Sequence, residues 1–304
     1  MFRSLHLLGC ASAFVLLLAE SLFADEAATA KMLTELGGEV KPAAGPIAQI
    51  FFRDCSKLGA DQFRAIGELK SLKKLTLYGS CKGLTDETIP LLAKLESLEE
   101  LGLDGIQVTD AGLKPLAQIK SLKSISMFHP SWGRKDFVGT GLAALAELPQ
   151  LERLTVAGSP FNDQGMETLD KFPKLKELGT WHTFQTAEGN RHLRGLKELR
   201  TLRLGQRLRK YDGKPNPPSL TDETVAILAE MKSLESLTLD EARLSYAALA
   251  QLKGLPQLKR LVLERIDISA EEVEKLRGDL PKVKIERKPL TDEQRKQLEG
   301  MLKP

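Results

Sequence analysis

The sequence predicts an α/β solenoid, in which the chain winds into stacked short coils that each contribute one strand and one short helix. Two observations predict this fold. An apolar motif, Leu-x-x-Leu-x-Leu or a close variant, recurs along most of the 304 residues at a nearly constant spacing. A second motif, Thr-Asp followed by apolar residues at helical spacing, recurs between the apolar copies. A unit this short cannot bury its own apolar face, so its core must come from stacking on its neighbours.

The first 24 residues have the composition of a secretory signal peptide. Arg3 supplies positive charge, residues 7–19 are apolar, and small residues up to Ala24 offer cleavage positions. We therefore expect residues 1–24 to be a signal peptide and the protein to be exported to a periplasmic or extracellular location. An uncleaved anchor and a lipidated Cys10 are the alternatives. No later segment approaches the ~20 apolar residues of a spanning helix, so we expect no transmembrane span in the mature chain.

The rest of the chain divides into a cap, an array of repeats and a second cap. Residues 25–46 contain an amphipathic stretch, which predicts a helical cap over the first core layer. Residues 47–282 hold nine apolar copies that begin 24 to 26 residues apart, except for two intervals of 29 and 35. The copies begin at Ile47, Leu72, Leu98, Leu122, Leu151, Leu175, Leu199, Leu234 and Leu258. Residues 283–304 predict a C-terminal cap with a truncated strand at Val283 and a final helix after Thr291.

The Thr-Asp motifs predict helix starts. Thr and Asp side chains accept hydrogen bonds from the unpaired amides of a first helical turn, and Asp also suits the positive end of the helix dipole. The motifs are Thr85-Asp86, Thr109-Asp110 and Thr221-Asp222.

At these residues the sequence resembles the leucine-rich-repeat superfamily, particularly exported bacterial proteins whose repeats read Val-Thr-Asp-Ala-Gly-Leu before a short helix. Residues 108–113 have that reading here. The resemblance covers roughly residues 47–285. It implies a leucine-rich-repeat solenoid of horseshoe shape, with a parallel sheet on the concave face and short helices on the convex face. It implies no enzymatic activity.

Composition and motifs exclude several classes of function. Lys and Arg total 44 against 41 for Asp and Glu, which is too balanced to indicate nucleic acid as the partner. There is no phosphate-binding Gly loop, no metal-ligand pair on one helical turn and no nucleophile elbow. His129 and His182 each follow a predicted strand but have no third ligand, so we expect no metal and no cofactor. A non-catalytic protein is expected, with an unrecognised enzyme as an alternative.

Aromatic residues occupy several positions that must face out of the sheet. Strand residues alternate, so the residues between the leucines point away from the core. The last outward position is aromatic in three copies: Tyr78, Phe128 and Trp181. Two aromatic-histidine pairs flank a small-residue floor, which predicts a slot about 10 Å wide for a small ligand or glycan. The floor is Ala157-Gly158, and the walls are Phe128-His129 and Trp181-His182. In the alternative, Trp132 and its loop fold back over the rings.

Two insertions, residues 129–136 and 206–218, lie between strand and helix and therefore emerge on the same edge. Residues 191–214 carry nine cations and two acids, a local net charge of +7. This charge predicts an acidic protein, an anionic glycan or an anionic envelope surface as partner, with binding that weakens as salt rises. A solvated basic face without a partner is the alternative. The residues expected to carry this binding are Arg203, Arg207, Arg209 and Lys210.

Together these features predict a protein-interaction module that binds its partner through the concave face and the strand-to-helix loops. A receptor for a small ligand or an anionic glycan is the first alternative, and an unrecognised enzyme is the second.

Cys55 and Cys81 lie at nearly matching places in adjacent copies. Adjacent coils stack about 5 Å apart, close to the Cα separation that a disulfide favours, and export would make the oxidised form accessible. Cys55 and Cys81 are therefore a disulfide candidate, although the two copies have turns of slightly different length, which leaves the register of the two cysteines open. The alternative is that both thiols point inward and act as small buried apolar groups.

Overall fold

The computed structural model of the protein describes residues 26–131, 134–208 and 216–302. It is an α/β solenoid with one sheet of 11 strands, whose order in the sheet is their order in the chain. Every neighbouring pair of strands is parallel except the first pair, which is antiparallel. The predicted fold class is confirmed. The predicted signal peptide, residues 1–24, lies outside the described residues.

The strands follow the apolar motif. They are β1 (Glu39–Lys41), β2 (Gln49–Phe52), β3 (Lys74–Leu77), β4 (Glu100–Asp104), β5 (Ser124–Phe128), β6 (Arg153–Ala157), β7 (Glu177–Trp181), β8 (Thr201–Gly205), β9 (Ser236–Asp240), β10 (Arg260–Glu264) and β11 (Lys284–Lys288). Strands β2 to β10 correspond to the nine apolar copies, and β11 follows the truncated strand expected at Val283.

The helices are short because a coil of 24 residues leaves room for only two or three turns. The α-helices are α1 (26–35), α2 (Ala60–Gly67), α3 (Ile89–Leu92), α4 (Asp163–Glu167), α5 (Asp222–Leu228), α6 (Tyr246–Ala250), α7 (Ala270–Asp279) and α8 (Asp292–Leu302). In several coils a tighter 3₁₀ helix follows or replaces the α-helix. These segments are Ala111–Gln118, Thr140–Glu147, Thr168–Lys171, Gly189–Gly195 and Gln251–Gly254.

The core is a ladder of leucines between the sheet and the helices. Leu75 lies in register with Ile50 on one side and Leu101 on the other, and all three are at most 2% exposed. The same stacking continues along the array in one buried apolar cluster that runs from Leu33 to Ile285. Strands pack about 4.8 Å apart whereas helices need 8–10 Å, so the stack curves towards the sheet. The sheet surface that points away from the helices is therefore the concave face.

The Thr-Asp motifs connect successive coils. Thr109 accepts a hydrogen bond from the Gly112 amide of its own coil at 3.2 Å, as the capping argument predicts. The aspartates instead reach the next coil, so the expectation that they cap their own helix is wrong. Asp86 accepts the Thr109 amide at 2.8 Å, and Asp110 accepts the Gly139 and Gly141 amides at 2.9 Å. Each carboxylate thus satisfies unpaired amides at the start of the following helix and ties two coils together.

Both ends of the array are covered. Helix α1 precedes the short strand β1, which pairs antiparallel with β2 and was not anticipated within the predicted helical cap. By pairing with β2, β1 removes the open edge that the first strand of an array presents. At the other end, β11 pairs with β10, and Leu298 of α8 is 1% exposed. Among the described residues, no helix is long and apolar enough to cross a membrane.

Candidate partner-binding surface

The centre of the concave face is built from small residues. Strand alternation places them between the inward leucines, where their short side chains leave a low floor along the sheet. From β3 to β7 these residues are Thr76, Gly102, Ser126, Thr155 and Gly179. Larger side chains from neighbouring positions can therefore lie across the sheet instead of standing upright.

Four aromatic side chains lie across this floor in a continuous line, which we call the aromatic row: Phe51, Tyr78, Phe128 and Trp181. Phe51 and Tyr78 make an edge-to-face contact with ring centroids 6.0 Å apart, and Tyr78 and Phe128 repeat this geometry at 6.0 Å. The Phe128 and Trp181 rings are tilted and 5.9 Å apart. All four side chains are half-buried. The row is thus a partly exposed apolar stripe that crosses six strands.

The predicted slot between Phe128 and Trp181 is wrong. The two rings are in contact instead of standing about 10 Å apart, and they leave Ala157 only 2% exposed. The floor is low enough for both rings to lean inward and bury apolar area against each other. Trp132, the residue proposed as a cover for these rings, lies outside the described residues.

The two histidines, His129 and His182, bind carboxylates on opposite sides of the place where the slot was predicted. His129 Nδ1 is 2.9 Å from Asp104 Oδ1, and its side chain is 63% exposed. Its imidazole lies against the backbone of Gly158, where an added Cβ would come within 2.5 Å of the ring. His182 Nε2 hydrogen-bonds Glu241. Both histidines have a positive φ, at 47° and 52°, which the strand-to-helix turn imposes on the residue after the strand.

The C-terminal half of the concave face carries a cluster of ion pairs, the charged network: Arg203, Asp240, Glu241, Glu264, Arg265, Lys288 and His182. Asp240 is at its centre and is 1% exposed. Arg203 donates to Asp240 at 2.9 Å, and Arg265 donates to both of its oxygens at 2.8 Å. Arg265 also pairs with Glu241 at 3.0 Å. The charges of this cluster are therefore matched within the protein.

The network shifts the ionisation of its members. Burial opposes ionisation of Glu241, yet the hydrogen bond from His182 and the charge of Arg265 outweigh it and lower the pKa of Glu241. Burial likewise opposes the charge of Arg265, but its bonds to Asp240 raise the pKa of Arg265. Glu241 and Arg265 are both held in their charged forms at neutral pH.

The aromatic row and the charged network meet at Trp181. The Arg203 guanidinium carbon lies 4.3 Å from the centroid of the Trp181 ring, a cation–π contact. Gly205 lies beside Trp181 on the neighbouring strand β8, and an added Cβ there would come within 2.5 Å of the Trp181 Cβ. Trp181 therefore contacts the Arg203 guanidinium and packs closely against the backbone of Gly205.

In the basic segment, residues 191–214, most of the described cations are not free for a partner. Four of them pair with carboxylates, three of which come from a later coil. The pairs are Arg191–Glu188 (2.9 Å), Arg194–Glu230 (2.8 Å), Arg200–Glu235 (3.6 Å) and Arg203–Asp240 (2.9 Å). The local net charge was counted along the chain, whereas stacking brings acids of the next coil alongside.

The prediction for Arg207 is also wrong. Arg207 was expected to bind a partner from the surface, but it is 5% exposed. Its guanidinium donates to the Pro217 carbonyl at 2.5 Å and to Asn216 Oδ1 at 2.6 Å. Gln206, also fully buried, accepts the Ser219 amide at 2.7 Å. These bonds fasten the two ends of the insertion together. Arg209 and Lys210, at its tip, lie outside the described residues.

Sequence reasoning found three members of the aromatic row and missed Phe51. Alternation within β2 was the available signal, because Phe51 lies between two inward residues, Ile50 and Phe52. It also missed the two network residues Glu241 and Arg265, which directly follow strands at positions with no recognised pattern.

Cys55 and Cys81 are both fully buried, as the inward-pointing alternative expected, and both are free thiols in this structure. The disulfide stays a prediction. Within the described residues, no group of three or more His, Cys, Asp or Glu side chains is placed to hold a metal ion.

No family model matches the chain, and a comparison with curated proteins finds no match. Among solved structures, internalin C2 from Listeria monocytogenes is similar, with a TM-score of 0.44 and 18% sequence identity over 76% of this chain and 84% of that chain. The strand order and the register of the protein itself establish its fold.

Proposed function

We propose that this protein is a non-catalytic interaction module that binds a protein partner through the aromatic row on its concave face. The carrying observation is the row itself, four half-buried aromatic side chains in unbroken contact across six strands. Contiguous exposed apolar surface of this kind is uncommon on soluble monomers and is typical of interaction sites.

The row has the features of an energetic centre of an interface. Aromatic residues dominate the binding energy of interfaces because they bury large areas and lose little conformational freedom. Here each ring is already restrained by its neighbour, and Trp181 by Arg203 as well. The partner therefore meets a preorganised surface, which reduces the entropy cost of binding.

The surroundings of the row define the chemistry of the partner. Charged side chains of both signs border it and are paired with each other: Glu100 contacts Lys74 at 2.9 Å and Arg153 at 3.2 Å. An apolar centre with a polar, charge-balanced rim suits a polypeptide surface of mixed composition. An acidic partner is less favoured because four arginines of the basic segment already pair with carboxylates of the protein. The closed slot removes the cavity on which a small-ligand receptor was based.

Export is part of the same proposal. If residues 1–24 act as a signal peptide, the partner is a protein of the periplasm, the envelope or the exterior. N-terminal sequencing of the protein purified from its source organism tests this point, since the chain should begin near residue 25.

Site-specific photo-crosslinking tests the binding face. A photoreactive phenylalanine analogue replaces Ser124, a half-buried concave residue beside the row, and in a matched control replaces Lys114, an exposed residue of the convex 3₁₀ helix. On illumination with envelope extract, a discrete protein adduct should form from position 124 and not from position 114. Equal adducts from both positions, or adducts from position 114 alone, would refute the concave site.

Two further experiments test the alternative functions, a carbohydrate receptor and an enzyme. Glycan-array binding that is lost in Trp181→Ala would replace the protein partner with a carbohydrate. Turnover of any substrate by the purified protein in an activity screen would overturn the non-catalytic assignment.

A further inference from the structure

Cys55 and Cys81 are structurally equivalent, although they stand at different distances from their strands. The Cys55 amide donates to the Tyr78 carbonyl at 3.0 Å, and the Cys81 amide donates to the Asp104 carbonyl at 2.8 Å. These two carbonyls occupy matching positions, because Tyr78 and Asp104 directly follow Leu77 and Leu103, which are paired in the register of β3 and β4. Each cysteine therefore bonds to the same point of the next coil.

The turns after the two cysteines match as well. The Leu58 amide donates to the Cys55 carbonyl at 3.0 Å, and the Leu84 amide donates to the Cys81 carbonyl at 3.1 Å. Both leucines are buried. The two coils thus follow the same path on both sides of the cysteine.

The second of these coils has one more residue between strand and cysteine. Gly79 and Ser80 accommodate this additional residue, because both have a left-handed backbone, with φ values of 74° and 64°. A left-handed pair tightens the turn, so the longer segment returns to the same place in the coil. The additional residue therefore leaves Cys55 and Cys81 at equivalent places in their coils.

The two thiols face each other in the core. Coils that stack at the strand spacing of about 4.8 Å place equivalent Cα atoms within the 4.4–6.8 Å that a disulfide spans. Both side chains are 0% exposed. The Cys55 thiol beside it and burial raise the pKa of the Cys81 thiol, which keeps the Cys81 thiol protonated in the folded protein.

We propose that Cys55 and Cys81 are a modification site that an external disulfide oxidises to an intramolecular disulfide between the coils of β2 and β3. One cysteine thiolate attacks the external disulfide, which forms a mixed disulfide and releases one thiol. The second thiolate then attacks the mixed disulfide, which closes the Cys55–Cys81 bond and releases a second thiol. The cysteines lose two electrons and two protons, and the external disulfide gains them.

Burial fixes when this reaction occurs. A protonated, inaccessible thiol does not attack a disulfide, so the bond must form before the first coils close or during their local opening. The affected coils carry Phe51 and Tyr78, the N-terminal end of the aromatic row. The bond would fix the spacing of these two rings, and it can be tested without reference to any partner.

Peptide mapping of the full chain tests the proposal. The protein is unfolded with reductant, refolded with oxidised and reduced glutathione, alkylated in denaturant and digested with trypsin without reductant. Trypsin cuts after Arg53, Lys57, Lys74 and Lys82, so the bond joins the peptides 54–57 and 75–82. We expect this linked pair to be the main species and to disappear after reduction.

Thermal unfolding is the second readout. A bond between Cys55 and Cys81 closes the chain between them into a loop and so restricts the unfolded chain. Tm of the refolded protein should therefore fall by about 5–10 °C on reduction. Cys55→Ser and Cys81→Ser should each lose this difference. Recovery of both peptides in alkylated form from the unreduced wild type, or a link of either to the Cys10 peptide, would overturn the proposal whether or not the variants fold.

Discussion

The two halves of the concave face cover the same kind of sheet in opposite ways. From β2 to β7 the surface is an aromatic row whose rings contact one another and remain half exposed. From β8 to β11 it is a network in which every major charge has a partner and Asp240 is 1% exposed. The aromatic half leaves apolar area for another molecule to bury, whereas the charges of the network in the other half are paired with each other.

This difference separates binding from stability. Edge-to-face ring pairs contribute about 0.5–1.5 kcal/mol each beyond their buried area, so the aromatic row adds modestly to folding. A buried carboxylate bonded by two arginines is different, because removing it leaves those arginines without their compensating charge. We expect mutations in the charged half to affect stability first and mutations in the aromatic half to affect binding first.

The largest expected effect is the loss of stability in Asp240→Ala. This change removes the shared partner of Arg203 and Arg265, and we expect it to lower the free energy of unfolding by about 3 kcal/mol. Glu230→Ala is the matched control, since it removes one exposed carboxylate from Arg194. Denaturant midpoints measure both. A similar loss in the two variants would mean that the charged network is no more than a set of surface ion pairs.

Gly205→Ala should have the second-largest effect on stability, because Gly205 lies where the two halves meet. The added Cβ would stand within 2.5 Å of the Trp181 Cβ, so the ring or the strand must shift, at a cost of about 1–3 kcal/mol. Gly278→Ala is the control of opposite sign. It lies in α7 with nothing within 4 Å of the added Cβ, and the change should stabilise by about 0.5–1 kcal/mol. If both variants match the wild type in thermal unfolding, the packing between Trp181 and Gly205 is not tight.

The acid stability of the charged half should depend on Glu241. Its folded-state pKa lies below the ordinary value of 4.5, so its contribution is fully present above that value and is lost as pH falls through the lowered pKa. Glu241→Gln should therefore unfold with a weaker dependence on pH in that acid range than the wild type. Parallel unfolding curves at each pH, with an unchanged slope in the variant, would argue against the His182–Glu241 bond.

The smallest expected effect is that of salt on partner binding. Lys74, Glu100 and Arg153 beside the row already pair with one another, so an increase in NaCl from about 50 to about 500 mM should change Kd by less than roughly threefold even though the Debye length shrinks severalfold. Titration calorimetry with the purified partner measures this. A loss of affinity of a hundredfold would instead favour the tip of the basic insertion, Arg209 and Lys210, as the binding element.

The parts of the fold that follow a period could be predicted from the sequence. Strands β2 to β10 are marked by inward leucines that recur with the coil, and β11 by a remnant of the same motif. Strand β1 could not be predicted, because Glu39–Lys41 lies outside the repeat and pairs antiparallel. The aspartates of the Thr-Asp motifs were recognised, but their bonds to the next coil depend on how coils stack.

The candidate surface was less accessible to sequence reasoning. Alternation identifies outward residues but not their rotamers, so it gave Phe128 and Trp181 as separate walls when the rings are in contact. Charges were summed along the chain, although the carboxylate that neutralises Arg203 lies 37 residues later. The His182–Glu241 bond spans 59 residues and two coils, and no periodic signal marks it.

Binding of the purified partner to a double variant of the aromatic row tests the central claim most directly. Tyr78→Ala combined with Phe128→Ala removes the middle of the row, and Tyr246→Ala removes a half-buried tyrosine from the convex helix α6 as a matched control. Since one central aromatic residue of an interface contributes about 2 kcal/mol or more and such contributions are not additive, Kd should rise at least roughly thirtyfold in the double variant and stay within about twofold in the control. Wild-type affinity in a folded double variant would contradict the assignment of the aromatic row as the binding surface.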